Sequence, residues 1–114
     1  MDVIEVTVGV TVRDGGAARA WYTRVLGRPP DLEPAPGVFE FRVGAAWLQV
    51  HVGEPTPGAV VRLGVRHLLP ERDRLRRLGI SVGKVETIPH VIRYLDFLDP
   101  DGNRLSLYEL LRPG

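Results

Sequence analysis

Hydrophobic and polar positions alternate along most of this chain in short runs, interrupted twice by stretches of helical period. From Val3 to Val12, Val6, Val8, Val10 and Val12 stand against Thr7, Gly9 and Thr11, the signature of a strand with one buried face. Asp14 then occupies the place of a helix N-cap. Ala18, Trp21, Tyr22, Val25 and Leu26 fall on one helical face, and Gly27 follows as a terminator. Arg28 to Pro36 holds four prolines and a short edge strand. Beyond it, Val38–Val43 and Ala46–Val52 predict a hairpin around Gly44-Ala45. Phe39, Phe41 and Val43 then share an apolar face with Ala46, Leu48, Val50 and Val52. The opposite face carries Glu40, Arg42, Trp47, Gln49 and His51.

After Gly53-Glu54-Pro55-Thr56-Pro57-Gly58, a linker by composition, the pattern restarts. Val61, Leu63 and Val65 alternate with Arg62, Gly64 and Arg66. A helix follows from about Leu69, with Pro70 near its first position, Glu71 and Asp73 in its first turn, Arg76 and Arg77 in its last, and Gly79 after it. Strands are expected around Val82 to Ile88 and Val91 to Leu98, joined through Pro89-His90, and then a closing strand. The stretch Leu95 to Glu109 is the least ambiguous: two alternating runs flank Asp99-Pro100-Asp101-Gly102-Asn103, whose residue types suit a tight turn. Leu95, Phe97, Leu105 and Leu107 take one face; Tyr94, Asp96, Arg104, Ser106 and Tyr108 take the other. Because Val12-Arg13 to Leu26-Gly27 matches Val65-Arg66 to Leu78-Gly79 within one residue, the chain reads as one unit written twice, about 53 residues apart. An α+β domain is predicted, with modules 1–53 and 59–114 joined by linker 53–58. Each helix covers the apolar face of its sheet, and each polar face is left free to curl around something.

Composition narrows the function classes. The chain has 114 residues, enough for one domain with a real core, and 44% hydrophobic with 25% charged residues is ordinary for a soluble protein. Cysteine is absent, which excludes disulfides, thiolate metal sites and cysteine nucleophiles. Neither a leader pattern nor an apolar run approaching a membrane span is present, so a cytoplasmic location with no membrane partner is expected. Net charge is +1, Lys84 is the only lysine, and the densest basic run, Arg72 to Arg77, contains Asp73. A nucleic-acid partner is not expected from so balanced a surface.

Val10-Thr11-Val12-Arg13-Asp14 leading into Ala20-Trp21-Tyr22 and Val25-Leu26-Gly27, followed near the end by Phe97-Leu98-Asp99-Pro100-Asp101-Gly102-Asn103, resembles the vicinal oxygen chelate superfamily. That superfamily includes glyoxalase I, the bleomycin-resistance proteins and the extradiol dioxygenases. The resemblance covers essentially the whole chain and implies two βαβββ modules whose curved mixed sheets form a cup, with helices on the outer face. It also implies four inward positions that hold a divalent metal in the metal-dependent members. Carried over singly, these fall on Thr7, Gln49, Arg62 and Ser106, and none is a histidine or a carboxylate. A guanidinium aimed at a cation is a permanent repulsion, so no metal and no other cofactor is expected. A displaced metal set of His51, Glu40 and Asp96 stays open as an alternative. The DPDGN turn is no calcium loop, since the positions for glycine and glutamate hold Arg104 and Leu110.

The cup face predicted from alternation offers Thr7, Glu40, Arg42, Trp47, Gln49, His51, Arg62, Arg66, Tyr94, Asp96, Ser106 and Tyr108 as ligand-binding candidates. Rings, fixed cations, amides and hydroxyls together suit an organic ligand that is partly aromatic and partly anionic or hydrogen-bonding. Three functions follow. A metal-free binding protein of the bleomycin-resistance type would hold a small organic molecule or antibiotic, and the resemblance implies a homodimer. A metal-independent acid–base enzyme of isomerase or cyclase type would use Asp96 with Tyr94 or His51 as its catalytic groups. A ligand-free interaction module would instead close the polar faces by pairing Arg62 and Arg66 with Asp96 or Glu40. Each residue also has a plain structural role open to it: Trp47 at a dimer interface, Tyr94 and Tyr108 in packing, His67 and His90 in solvent, Trp21 and Tyr22 in the core.

Overall fold

The computed structural model describes residues 2–55, 58 and 60–111. Two compact units, Met1–Pro57 and Gly58–Gly114, make up the chain. Thr56 and Pro57 of the expected linker, and Ala59 and residues 112–114 of the expected second module, lie outside the described residues.

The first unit runs β1 (Thr7–Val12), α1 (Gly15–Leu26), β2 (Leu32–Ala35), β3 (Val38–Val43) and β4 (Ala46–Val52). Its sheet has the order β1-β4-β3-β2, with β1 and β4 parallel and the remaining pairs antiparallel. Asp14 caps α1 by accepting the Ala17 N–H through Oδ1 at 3.0 Å, and Gly27, at φ 79°, turns the chain out of the helix. The helix buries Ala18, Trp21, Tyr22 and Val25 against Val10, Val12, Phe39, Phe41, Leu48 and Val50 of the sheet. Tyr22 lies edge-on to Trp21 with ring centroids 4.8 Å apart and tilted against Phe41 at 6.4 Å. Side chains this completely enclosed each contribute roughly 1.5–3 kcal/mol of burial free energy.

The second unit repeats the plan: β5 (Val60–Gly64), α2 (Leu68–Arg77), β6 (Glu86–Ile88), β7 (Ile92–Leu98) and β8 (Arg104–Leu110), in the order β5-β8-β7-β6 with β5 and β8 parallel. Its core is Val61, Leu68, Leu75, Ile80, Leu95, Phe97, Leu105 and Leu107. His67, at the N-cap position of α2, makes no capping bond with its side chain. Glu109 serves instead, reaching from β8 to accept the Leu68 N–H at 2.8 Å while its other oxygen lies 3.5 Å from Arg93. The β7–β8 turn is tied by Asp99, whose Oδ1 accepts from the N–H groups of Asp101 (2.9 Å) and Asn103 (2.8 Å) and whose Oδ2 accepts from Asn103 Nδ2 (2.8 Å). That carboxylate is buried and committed to its own turn.

Two predicted strands are shorter than alternation suggests. β1 starts at Thr7 rather than Val3, because β4 begins at Ala46 and pairs with β1 only from Trp47, opposite Thr7; the backbone bond at that edge is the Val6 carbonyl accepting from Trp47 N–H at 2.8 Å. The strand expected from Val82 to Ile88 is reduced to Glu86–Ile88 and a lone bridge from Val82 to Phe97. Between them the outer chain takes four steps, Val82 to Glu86, against three on β7, Phe97 to Tyr94, and the extra residue breaks the ladder. Neither helix, among the described residues, is long and apolar enough to cross a membrane.

Candidate functional site

Both sheets turn a polar face away from their helix, and the register shows which side chains stand side by side on it. In the first unit one row reads Gly9, Gln49, Glu40, the next Thr11, His51, Val38, and the third Thr7, Trp47, Arg42. In the second unit the rows in the same places are Arg62, Ser106, Asp96 and Gly64, Tyr108, Tyr94. Gly9 thus corresponds to Arg62, Gln49 to Ser106, Glu40 to Asp96 and His51 to Tyr108. The internal repeat allows a direct comparison of the two faces.

The first face is largely closed on itself. Gln49 Nε2 donates to Glu40 Oε2 at 3.1 Å, and Thr11 Oγ1 and His51 Nε2 lie 3.3 Å apart. Arg42 places its guanidinium 5.1 Å from the centre of the Trp47 ring and 3.8 Å from Glu5 Oε1. Trp47 Nε1 is the exception, buried and without a hydrogen-bond partner.

The second face is open. Arg62, Tyr94 and Tyr108, joined by Ile88 and Ile92, line a cavity of about 380 Å³, within the range of ~300–1,000 Å³ usual for small-molecule sites. Arg62 projects from the edge strand and is exposed; among the described residues it makes no ion pair. Tyr108 owes its position to Gly64 opposite it on β5: a Cβ there would stand 2.9 Å from the Tyr108 Cζ, so only glycine leaves the ring that space. Beside the cavity, in the row of Arg62, Asp96 Oδ1 and Ser106 Oγ are buried and have no hydrogen-bond partner.

Within the second unit, and among the described residues, neither Arg62 nor Arg66 pairs with Asp96. Arg62 and Asp96 lie on strands separated by β8, about 10 Å apart at the usual strand spacing. Arg66 lies two residues beyond the end of β5 and is exposed, and Glu40, in the first unit, binds Gln49. Of the candidate acid–base groups, Asp96 and Tyr94 share one face on neighbouring rows, while His51 belongs to the first unit. Ile88 and Ile92 are cavity residues that a search for polar and aromatic side chains passed over. Their signal was parity, since Ile92 is in phase with Tyr94 and Asp96 and Ile88 pairs with Ile92.

The residues at the four metal-holding positions do not fit a divalent ion. Thr7 and Ser106 offer neutral hydroxyls, Gln49 spends its amide N–H on Glu40, and Arg62 brings a positive charge. Among the described residues no group of three His, Cys, Asp or Glu side chains within either unit could hold a metal ion in their place.

No family model matches the chain, and no curated protein matches it. Solved structures do. A glyoxalase/bleomycin resistance protein from Catenulispora acidiphila is 28% identical with a TM-score of 0.83, over 95% of this chain and 99% of that one. A glyoxalase/bleomycin resistance protein/dioxygenase from Nocardioides is 20% identical with a TM-score of 0.78, over 100% of this chain and 87% of that one. A lactoylglutathione lyase from Agrobacterium tumefaciens is 20% identical with a TM-score of 0.76, over 91% of each chain. The doubled βαβββ plan is therefore the glyoxalase/bleomycin-resistance/dioxygenase fold. The chain belongs to the vicinal oxygen chelate superfamily.

Proposed function

We propose that the second unit binds a small organic anion with an apolar body, holds it without altering it, and does so without a metal ion. The observation that carries this reading is the cavity of about 380 Å³, walled by Tyr94, Tyr108, Ile88 and Ile92 and edged by the unpaired guanidinium of Arg62. Rings and branched aliphatic side chains supply area for an apolar body. A guanidinium with no carboxylate partner supplies a charge and forked donors for an anionic group. The donor chemistry at Thr7, Gln49, Arg62 and Ser106 supports binding that needs no divalent cation.

Two fluorescent probes of similar shape test it: anilinonaphthalene sulfonate, an anion, and N-phenylnaphthylamine, which is neutral. Arg62→Gln is expected to weaken the sulfonate roughly tenfold, the scale of one charge-assisted hydrogen bond, and to leave the neutral probe unchanged. Equal loss of both probes, or no saturable binding by the native protein, would contradict the reading.

A further inference from the structure

The row that begins with Arg62 continues through Ser106 to Asp96, each directly register-paired with the next. Its two inner members are unsatisfied. Ser106 is 0% exposed, and neither its Oγ nor Asp96 Oδ1 has a partner, although both atoms are buried. A carboxylate oxygen and a hydroxyl enclosed side by side leave accepting capacity unmet, which is costly unless a donor completes them. The matching row of the first unit shows the completed arrangement: Glu40, in the place of Asp96, receives the Gln49 amide from the place of Ser106. Replacing glutamine by serine there withdraws the long donor and leaves the carboxylate waiting for one. Placing arginine where the first unit has Gly9 adds a fixed cation at the other end of the same row.

We infer that the ligand of the second unit carries a hydrogen-bond donor beside its anionic group, the donor seated at Asp96 and Ser106 and the anion on Arg62. This rests on the reading of the cavity as an anion-binding site and specifies the ligand class further. Cation, hydroxyl and carboxylate in one line are complementary to a hydroxy acid or amino acid whose apolar side chain enters the space between Tyr94, Tyr108, Ile88 and Ile92. Asp96 selects for the donor, since an acid that lacks one leaves a buried carboxylate oxygen unpaired in the complex.

Calorimetric titration with three acids of one skeleton tests the inference: 3-phenylpropanoate, which has no donor, 2-hydroxy-3-phenylpropanoate, and phenylalanine. The two donor-bearing acids are expected to bind roughly tenfold tighter than the parent acid. Ser106→Ala should narrow that preference for both, and Asp96→Asn should narrow it most for phenylalanine, whose ammonium loses an opposite charge. Equal binding of the three acids to the native protein, with dependence on Arg62 intact, would overturn the inference and leave the anion site standing. A preference unchanged in both variants would place the donor elsewhere and equally overturn it. Failure of all three acids to bind would remove both the inference and the reading beneath it.

Discussion

Gly64 shows how one residue without a side chain shapes a site it does not enter. The Tyr108 ring occupies the volume where any Cβ at position 64 would sit, 2.9 Å from its Cζ. In the first unit the same place holds Thr11, which bonds His51 instead of yielding to a ring. Gly64→Ala must push the Tyr108 ring away from β5 and into the cavity that it walls. The expected outcome is a several-fold loss of affinity for the anionic and the neutral probe alike. Stability should change by only about 1 kcal/mol, because the ring end can swing aside. Probe titration beside thermal unfolding checks this; unchanged affinity would show that Tyr108 is not a wall of the binding site. At this scale alternation reads which side chains share a face, and it put Arg62, Tyr94 and Tyr108 together from the sequence. It does not read side-chain length against a neighbour, so it could not tell that Gln49 reaches Glu40 while Ser106 fails to reach Asp96.

Among the elements, the helices and hairpins were legible because their signals are local. Asp14 and Gly27 bracket α1 within the reach of a few residues, and the DPDGN turn carries all of its hydrogen-bonding groups in one pentapeptide. The ends of β1 and β6 were not, since strand length depends on what the neighbouring strand offers, and a bulge is invisible in a period of two. The start of α2 belongs with them. Its cap, Glu109, lies 41 residues from Leu68 and takes the place of the serine or aspartate that a local search would seek. Glu109→Ala should destabilise the second unit by about 1–2 kcal/mol, by freeing the Leu68 N–H and leaving half-buried Arg93 without its carboxylate. Glu109→Gln, which keeps an acceptor, should cost less. Denaturant unfolding with amide exchange at Leu68 measures both; equal stability of Glu109→Ala and the native chain would show that α2 does not depend on this bond.

Over the whole molecule, duplication explains why two similar faces have different fates. Each unit repeats the same strand order and parallel closing pair, yet the first spends its polar groups on one another and the second leaves a cation, a hydroxyl and a carboxylate uncommitted beside an apolar cavity. The doubled pattern was legible in the sequence because core positions recur at one spacing. The asymmetry between the faces was not, because it depends on which polar groups meet across strands. The central claim is that this superfamily fold binds through Arg62 rather than through a metal. Titration of the anionic probe into protein dialysed against EDTA, repeated after addition of zinc, nickel, manganese or iron(II), tests it most directly. The same affinity is predicted in every case; binding abolished by the chelator and restored by one of the ions would contradict it.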